Sequence, residues 1–366
     1  MTRNNHVVRP PTALGVALLL YVVLFLATGV VAQPVRERPP IRELTYVVEP
    51  ICQGESCRLL IGLTFQGDSS GESRLLLPLE WARGVDLYKA IRNLQAVSED
   101  VKLEDTNEPH VKTVHHRPNQ RVSLTYEVVS QPPGTKLTKT VYHNPVLRSS
   151  YFYVIGQALW VYPDMPETTP LRVTLHWKNI PNGWTLINSF GAGEPRQKVK
   201  TTLEKFRAGT FLAGDYRVKR IVIKKHPVYA VTRGKWRVPD EEFNSLVQKL
   251  VQGMRDFWNS YDFPYYLMAL LPLDEEEGVM GGEGRTNSFS LYLPKDSTIL
   301  PIHLYLLAHE LFHAWNPQRL GTYENDRLYW FGEGVTDYYA YVLLLRAGLI
   351  SLDEYVAAHN SWIEAY

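Results

Sequence analysis

His309, Glu310 and His313 stand in the run HELFH, an HExxH box. On a helix, positions four apart lie one above the other, so both imidazoles leave the same face. Two neutral imidazole nitrogens at roughly 2.0–2.1 Å suit Zn²⁺, which in catalytic sites takes three protein ligands and keeps one position open. Glu310 lies one residue round the helix, beside the ion rather than on it, where it can take a proton from zinc-bound water. Glu333 follows His313 by 20 residues, in a second helical pattern. That interval leaves room for one loop and a return, which makes Glu333 the third ligand. Asp337 is four residues after Glu333 and shares its helix face. Ligating histidines usually donate their other N–H to a carboxylate, and Asp337 is assigned that role against the alternative of a solvated aspartate.

With 11 histidines in 366 residues, one HExxH can arise by chance, so its surroundings carry the weight. The box sits in PIHLYLLAHELFHAW, a largely apolar segment in which two bare imidazoles and a carboxylate would be costly to bury unpartnered. Gly332 and Gly334 flank Glu333. Each glycine in a helix costs about 1 kcal/mol against alanine, so the pair predicts close packing there. Tyr338 and Tyr339 fall away from the Glu333 face and read as core. Asn316 lies one turn beyond His313, where it can line the site and bind substrate or cap the helix.

HELFHAWNPQRL at 309–320 and LYWFGEGVTDYYAYVLLLRAGLIS at 328–351 resemble the glycyl-aminopeptidase family of zinc metallopeptidases, with fainter similarity in LLLPLEWARGVDLYKAIRNL at 75–94. The resemblance implies zinc held by His309, His313 and Glu333, with Glu310 as the catalytic carboxylate. It implies an N-terminal β domain, a thermolysin-like catalytic domain and often a C-terminal PDZ domain. Family members tend to carry GGxEH ahead of the zinc helix. Here the stretch is GVMGGEGRTNSF at 278–289, with shifted glycines and no histidine. Glu283 is the candidate there for binding a substrate's α-amine.

The elements that must position these residues follow from the chain in order. Arg3 and Arg9 precede an apolar run from Ala13 to Ala32, with small residues before Gln33. Residues 1–32 read as a signal peptide or an uncleaved membrane anchor, and either takes the chain out of the cytoplasm to a periplasmic, secreted or membrane-tethered place. QPVRERPPI at 33–41 is a Pro-rich linker. Cys52 and Cys57, the two cysteines, then most simply form a disulfide between strands, a metal lacking further ligands nearby.

Residues 42–236 alternate apolar and polar in several runs, including TYVVEP, RLLIGLTF, RVSLTYEVV and LRVTLHW, as half-buried antiparallel strands do. They predict an antiparallel sandwich-like β domain of two sheets. YFYVIGQALWVY at 151–162 reads as strand and LYKAIRNL at 87–94 as a short helix. His115 and His116 read as a surface pair; His143 and His226 receive no role.

At Pro239 the period becomes helical, and Phe243, Leu246, Val247, Leu250, Val251, Met254, Phe257 and Trp258 form one stripe. YYLMALLPL at 265–273 is a buried strand. DEEEG at 274–278 reads as a solvated acidic turn. SFSLYLP at 288–294, by the same resemblance, is the strand along the active-site cleft, able to pair with extended substrate. The zinc helix is expected over about 299–316, stopped by Pro317, with His303 idle near its start. A second helix over about 326–347 takes Asp326 as cap and Gly348 as stop. Ser351 to Glu354 is a capping box opening a third helix, cut at Tyr366 with no stop signal. Residues 237–366 therefore read as an incomplete, mainly helical catalytic domain, and the whole as α+β.

Lys plus Arg is 39 against 38 for Asp plus Glu, with no charge run that would suit nucleic acid. The reading is an exported zinc aminopeptidase acting on peptides with small N-terminal residues such as glycine. A zinc endopeptidase on the same site and a non-catalytic binding module are the rivals. No residue is assigned as a second oxyanion donor.

Overall fold

A computed structural model describes residues 42–365 except 133, 262–264, 317–318 and 321–327. The targeting segment 1–32, the linker 33–41, the Pro317 stop and the Asp326 cap lie outside the described residues. Among those described, no helix is long and apolar enough to cross a membrane.

The protein is a mixed α+β structure built mostly from sheets. Alternating burial along Arg42–Gln53 (eeBiBiBiBiie) and Ser56–Gln66 reflects their period-two sequences. These two strands form a hairpin with Cys52 opposite Cys57, and the two sulfurs are bonded. The hairpin sits in a six-stranded sheet ordered Arg196–Thr202, Pro170–Trp177, Arg42–Gln53, Ser56–Gln66, Arg121–Val129, Ile91–Ala96. The pairing of Arg42–Gln53 with Pro170–Trp177 is parallel, so the expected all-antiparallel arrangement needs correction. Alternation reports which face a side chain takes and is silent on the direction of the neighbouring strand.

A four-stranded and a five-stranded sheet complete this part of the fold, giving three sheets where two are expected. YFYVIGQALWVY is strand over Tyr151–Ile155 and again at its last residue, Tyr162. Between these it makes one helical turn, Gly156–Leu159, before Tyr162–Pro163. The whole run is buried, and a continuous apolar stretch does not distinguish buried strand from buried helix. Gly156 is required there, because an added Cβ would lie 2.3 Å from the Arg207 carbonyl oxygen. LYKAIRNL likewise divides into a 3-10 turn, Leu87–Ala90, and the strand Ile91–Ala96. His116 is buried rather than on the surface; its Nε2 lies 2.9 Å from Ser73 Oγ and its Nδ1 2.8 Å from the Arg117 carbonyl. His115 is exposed and meets Glu104 at 2.9 Å.

The fourth sheet carries the helices. Its order is Arg217–Ile223, His226–Thr232, Tyr266–Leu273, Ser288–Pro294, Gly281–Arg285. The three central strands run parallel, and the two outer ones are antiparallel to their neighbours. Met268, Leu270, Phe289, Leu291 and Leu293 face the helices, while Leu267, Ala269, Leu271 and Tyr292 face the β region. Ser288–Pro294 is therefore an interior strand buried on both faces, which corrects its reading as the cleft edge. The edge is Gly281–Arg285, whose three glycines carry little strand propensity.

The acidic turn is docked as well. Asp274 Oδ2 accepts the Leu137 N–H at 2.9 Å and Glu275 Oε2 that of Lys139 at 3.1 Å, tying the sheet to the β region.

The long amphipathic helix Asp240–Trp258 buries the expected stripe from Phe243 to Met254. At its start Asp240 accepts two bonds from Arg217, at 2.6 and 3.0 Å, and one from Thr232 at 3.0 Å. The hydrogen bonds from Arg217 hold its carboxyl below the ordinary 3.8. A depressed folded pKa contributes stability that is present above the unfolded value and lost as pH falls through the folded one. Both side chains are partly exposed, so the effect is small: about 1 kcal/mol, or roughly 1–2 °C in Tm. Asp240→Asn is expected to melt lower than wild type at pH 7, with the difference closing as the pH falls below the ordinary carboxylate range in thermal scans.

Candidate metal centre

The HExxH helix spans Pro301–Phe312, shorter than expected, and His313 is its C-cap in helical conformation (φ −59°, ψ −20°). Its start is fixed by His303, which is buried and not idle: its Nδ1 accepts the Leu300 N–H at 3.0 Å. Burial holds that imidazole below its ordinary pKa, which keeps the accepting nitrogen free of a proton. The second helix, Tyr329–Arg346, packs alongside, and Gly348 follows it with φ +63°, a left-handed position suited to glycine. Ser351 and Glu354 make the reciprocal capping box that opens Leu352–Ala365.

Packing of the two helices brings His309, His313 and Glu333 together. The two Nε2 atoms are 3.0 Å apart, and Glu333 Oε2 lies 3.3 Å from His309 Nε2 and 3.5 Å from His313 Nε2. Bonds of roughly 2.0–2.1 Å to a tetrahedral ion place ligand atoms about 3.3–3.4 Å from one another, so these edges fit one Zn²⁺.

Proton placement sharpens the fit. His309 Nδ1 lies 2.7 Å from Asp337 Oδ1, and His313 Nδ1 lies 2.8 Å from the Asn316 carbonyl oxygen. Each of those oxygens accepts, so each Nδ1 carries the proton and each Nε2 presents a lone pair. With each Nδ1 proton turned outward, the two Nε2 atoms and the Glu333 carboxylate face one another, a donor set that suits a shared cation. Burial alone would raise the Asp337 carboxyl, but hydrogen bonds from His309 and Tyr305 outweigh it and hold the group ionised below its ordinary range. Burial lowers His309, and Asp337 and the neighbouring carboxylates more than offset that.

Glu310 reaches the same space from beside the ligands. Burial raises its carboxyl above the ordinary 4.5, against the opposing pull of His313 and His309. The edge strand lies directly on it: a Cβ added to Gly284 would sit 2.5 Å from Glu310 Oε2. Strand alternation puts Gly282 and Gly284 on this face and Glu283 and Arg285 on the other. The reading of Glu283 as an α-amine binder is corrected accordingly. Its carboxylate turns to the β region, accepting from Trp81 Nε1, from Arg285 Nη2 at 2.8 Å and from Tyr292 at 3.2 Å.

Asn316 is buried and serves as a strut rather than a substrate contact. Its Nδ2 donates to Phe331 O at 3.1 Å and Thr336 Oγ1 at 3.2 Å, joining the two helices, while its carbonyl orients His313. Gly332 is buried, and its carbonyl accepts from Asn316 Nδ2 at 3.3 Å and from Thr336 Oγ1 at 2.6 Å, while among the described residues a Cβ added at Gly334 would meet nothing within 4 Å. Tyr339 is partly buried against Phe257 and Phe312, whereas Tyr338 is 47% exposed and is not core. Tyr305 escaped the sequence reading. Four residues before His309, it donates to Asp337 and stacks on Tyr341 with ring centroids 4.7 Å apart. The same four-residue spacing that links the histidines could have found it.

Residues 303–366 match the family model of the M61 glycyl aminopeptidases. An aminopeptidase N family protein from Idiomarina loihiensis superposes with a TM-score of 0.66 at 18% identity, over 85% of this chain and 56% of that one. A mutant two-domain M1 zinc metallopeptidase bound to L-tryptophan gives 0.50 at 14% identity, over 90% of this chain and 76% of that one. The chain thus spans little more than half the length of the first, and at these identities the likeness is one of fold. No curated protein matches.

Proposed function

We propose that the chain is a zinc-dependent metallopeptidase acting as an aminopeptidase on peptides with a small N-terminal residue such as glycine. The observation that carries this reading is the convergence of three metal-ligating atoms, His309 Nε2, His313 Nε2 and Glu333 Oε2, within 3.5 Å of one another. The family match over 303–366 supplies the peptidase direction. Zinc bound there supplies Lewis acidity toward a peptide carbonyl. The chain's own residues do the rest. Asp337 and the Asn316 carbonyl fix the two imidazole rings. Glu310, whose carboxyl burial raises above the ordinary value, accepts a proton from an attacking water and hands it to the leaving amine. The Gly281–Arg285 edge offers backbone to an extended peptide, and the absence of a side chain at Gly284 lets that strand lie against Glu310.

Export belongs to this reading: the apolar run at 13–32 is its signal or anchor, and the Cys52–Cys57 bridge suits an oxidising compartment. An endopeptidase is the second reading. It is favoured by the pairing of Glu283 with buried Arg285, which leaves no free carboxylate on the strand for a substrate ammonium.

Hydrolysis of a glycyl amide and of its N-acetylated peptide counterpart, with and without a chelator, separates the cases. The aminopeptidase cuts only the free amine and the endopeptidase cuts the blocked peptide, each recovering on zinc addition. Absence of zinc from purified protein, with neither substrate cut, would end both.

A further inference from the structure

Trp81 belongs to the β region yet reaches the catalytic sheet. A tight turn projects it: Trp81 N–H donates to the Gly84 carbonyl at 2.9 Å, and Gly84 N–H returns to the Trp81 carbonyl at 2.8 Å. Ala82 within the turn is held at φ +50°, a left-handed conformation that alanine rarely adopts and that persists only where surroundings enforce it.

The indole meets the edge strand in two ways. Its Nε1–H donates to Glu283 Oε1, and its ring lies under the Arg285 guanidinium, 4.4 Å from centroid to Cζ. Glu283 and Arg285 are themselves paired at 2.8 Å, with the Arg285 side chain fully buried. Arg285 Nη1 donates to Gln157 Oε1 at 2.5 Å, and Tyr292 bridges Glu283 to Tyr153 through bonds of 3.2 and 2.8 Å. Every anchor on this face of the strand therefore grips a residue next to Gly284. On the opposite face Gly284 bears on the Glu310 carboxylate. An edge strand has a neighbour on one side only, and glycine contributes no packing of its own, so the strand's position depends on these anchors.

We infer that Trp81 is a positioning residue for the reaction proposed above, locking the Gly281–Arg285 strand from the β region so that Gly284 sets the Glu310 carboxylate beside the metal ligands. Trp81 touches neither Glu310 nor the ligands; it acts through Glu283 and Arg285.

Two measurements on the full chain test this, one independent of any activity. In hydrogen exchange, Trp81→Ala is expected to speed the amides of 281–285 at least tenfold while 266–273 stays at the wild-type rate. Unchanged exchange at 281–285 overturns the inference. In kinetics, Trp81→Phe keeps the ring on Arg285 and removes the indole donor, and Glu283→Gln weakens the same contact. Each is expected to lower kcat about tenfold per zinc-loaded protein with KM within twofold, and the double variant is expected to match the worse single one, since both act on one contact. A merely structural tryptophan would lower the melting temperature and leave kcat per zinc unchanged; that result, or a hundredfold additive loss in the double variant, overturns it. A wild type that cuts no peptide counts against the peptidase reading alone, and the exchange result then decides the positioning role.

Discussion

Glu310→Gln is expected to reduce kcat by roughly 10²–10⁴-fold, the usual worth of a positioned general base, with zinc content unchanged. Glutamine keeps the shape and the contact with Gly284 but has no basic oxygen to take the proton. Glu310 bonds no metal-facing atom of His309, His313 or Glu333, so metal analysis should give equal stoichiometry in the two proteins. The pH profile supplies a second check. Burial raises the Glu310 carboxyl above 4.5, and catalysis requires it ionised. Activity should therefore climb with pH through a value above that of a free glutamate, and the residual rate of the variant should lack this limb. A variant within twofold of wild type would remove Glu310 from the chemistry.

What could be read of this site from sequence was whatever the helical period encodes. His309 and His313 are one turn apart, Asp337 is one turn from Glu333, and the two helices close the set by packing. Residues whose role is made by a partner distant in sequence stayed hidden. Trp81 meets Glu283 across 202 positions, and nothing local marks either as half of a pair. Gly284 matters through the side chain it lacks, and nothing in a glycine-rich run says which glycine lies against a catalytic carboxylate. Asn316 shows a related limit: adjacency to the box could not tell a residue lining the cleft from one tying helices together.

The fold divides the same way. Alternation in Arg42–Gln53 and Ser56–Gln66 and the 3.6-residue period of Asp240–Trp258 mark one buried face each, and those elements form where the pattern places them. Runs buried on every side lose their period. YFYVIGQALWVY hid a helical turn for that reason, and Ser288–Pro294 gave no sign that it lies inside the sheet. Strand direction is a non-local choice, and the parallel pairing of Arg42–Gln53 with Pro170–Trp177 joins strands more than a hundred residues apart.

Removing the third ligand should cost more metal affinity than removing the group that orients the first. Structural zinc, bound at about 10–16 kcal/mol by four protein ligands, assigns about 2.5–4 kcal/mol to each ligand, so Glu333→Ala is expected to weaken zinc binding by about 100–1,000-fold. That substitution also removes the negative charge lying 3.3 and 3.5 Å from the two Nε2 atoms, leaving two imidazoles that face each other at 3.0 Å. Asp337→Asn leaves all three donors in place and frees the His309 ring to turn or change tautomer, because the amide no longer demands a proton on Nδ1. The outer partner of a ligating histidine is typically worth 10–100-fold in affinity, so Asp337→Asn should fall between wild type and Glu333→Ala. Competition titrations against a chelator of known affinity measure both. The order is what matters: if Glu333→Ala bound zinc as tightly as wild type while Asp337→Asn did not, Asp337 rather than Glu333 would be holding the ion, and the geometry assigned to this centre would be wrong.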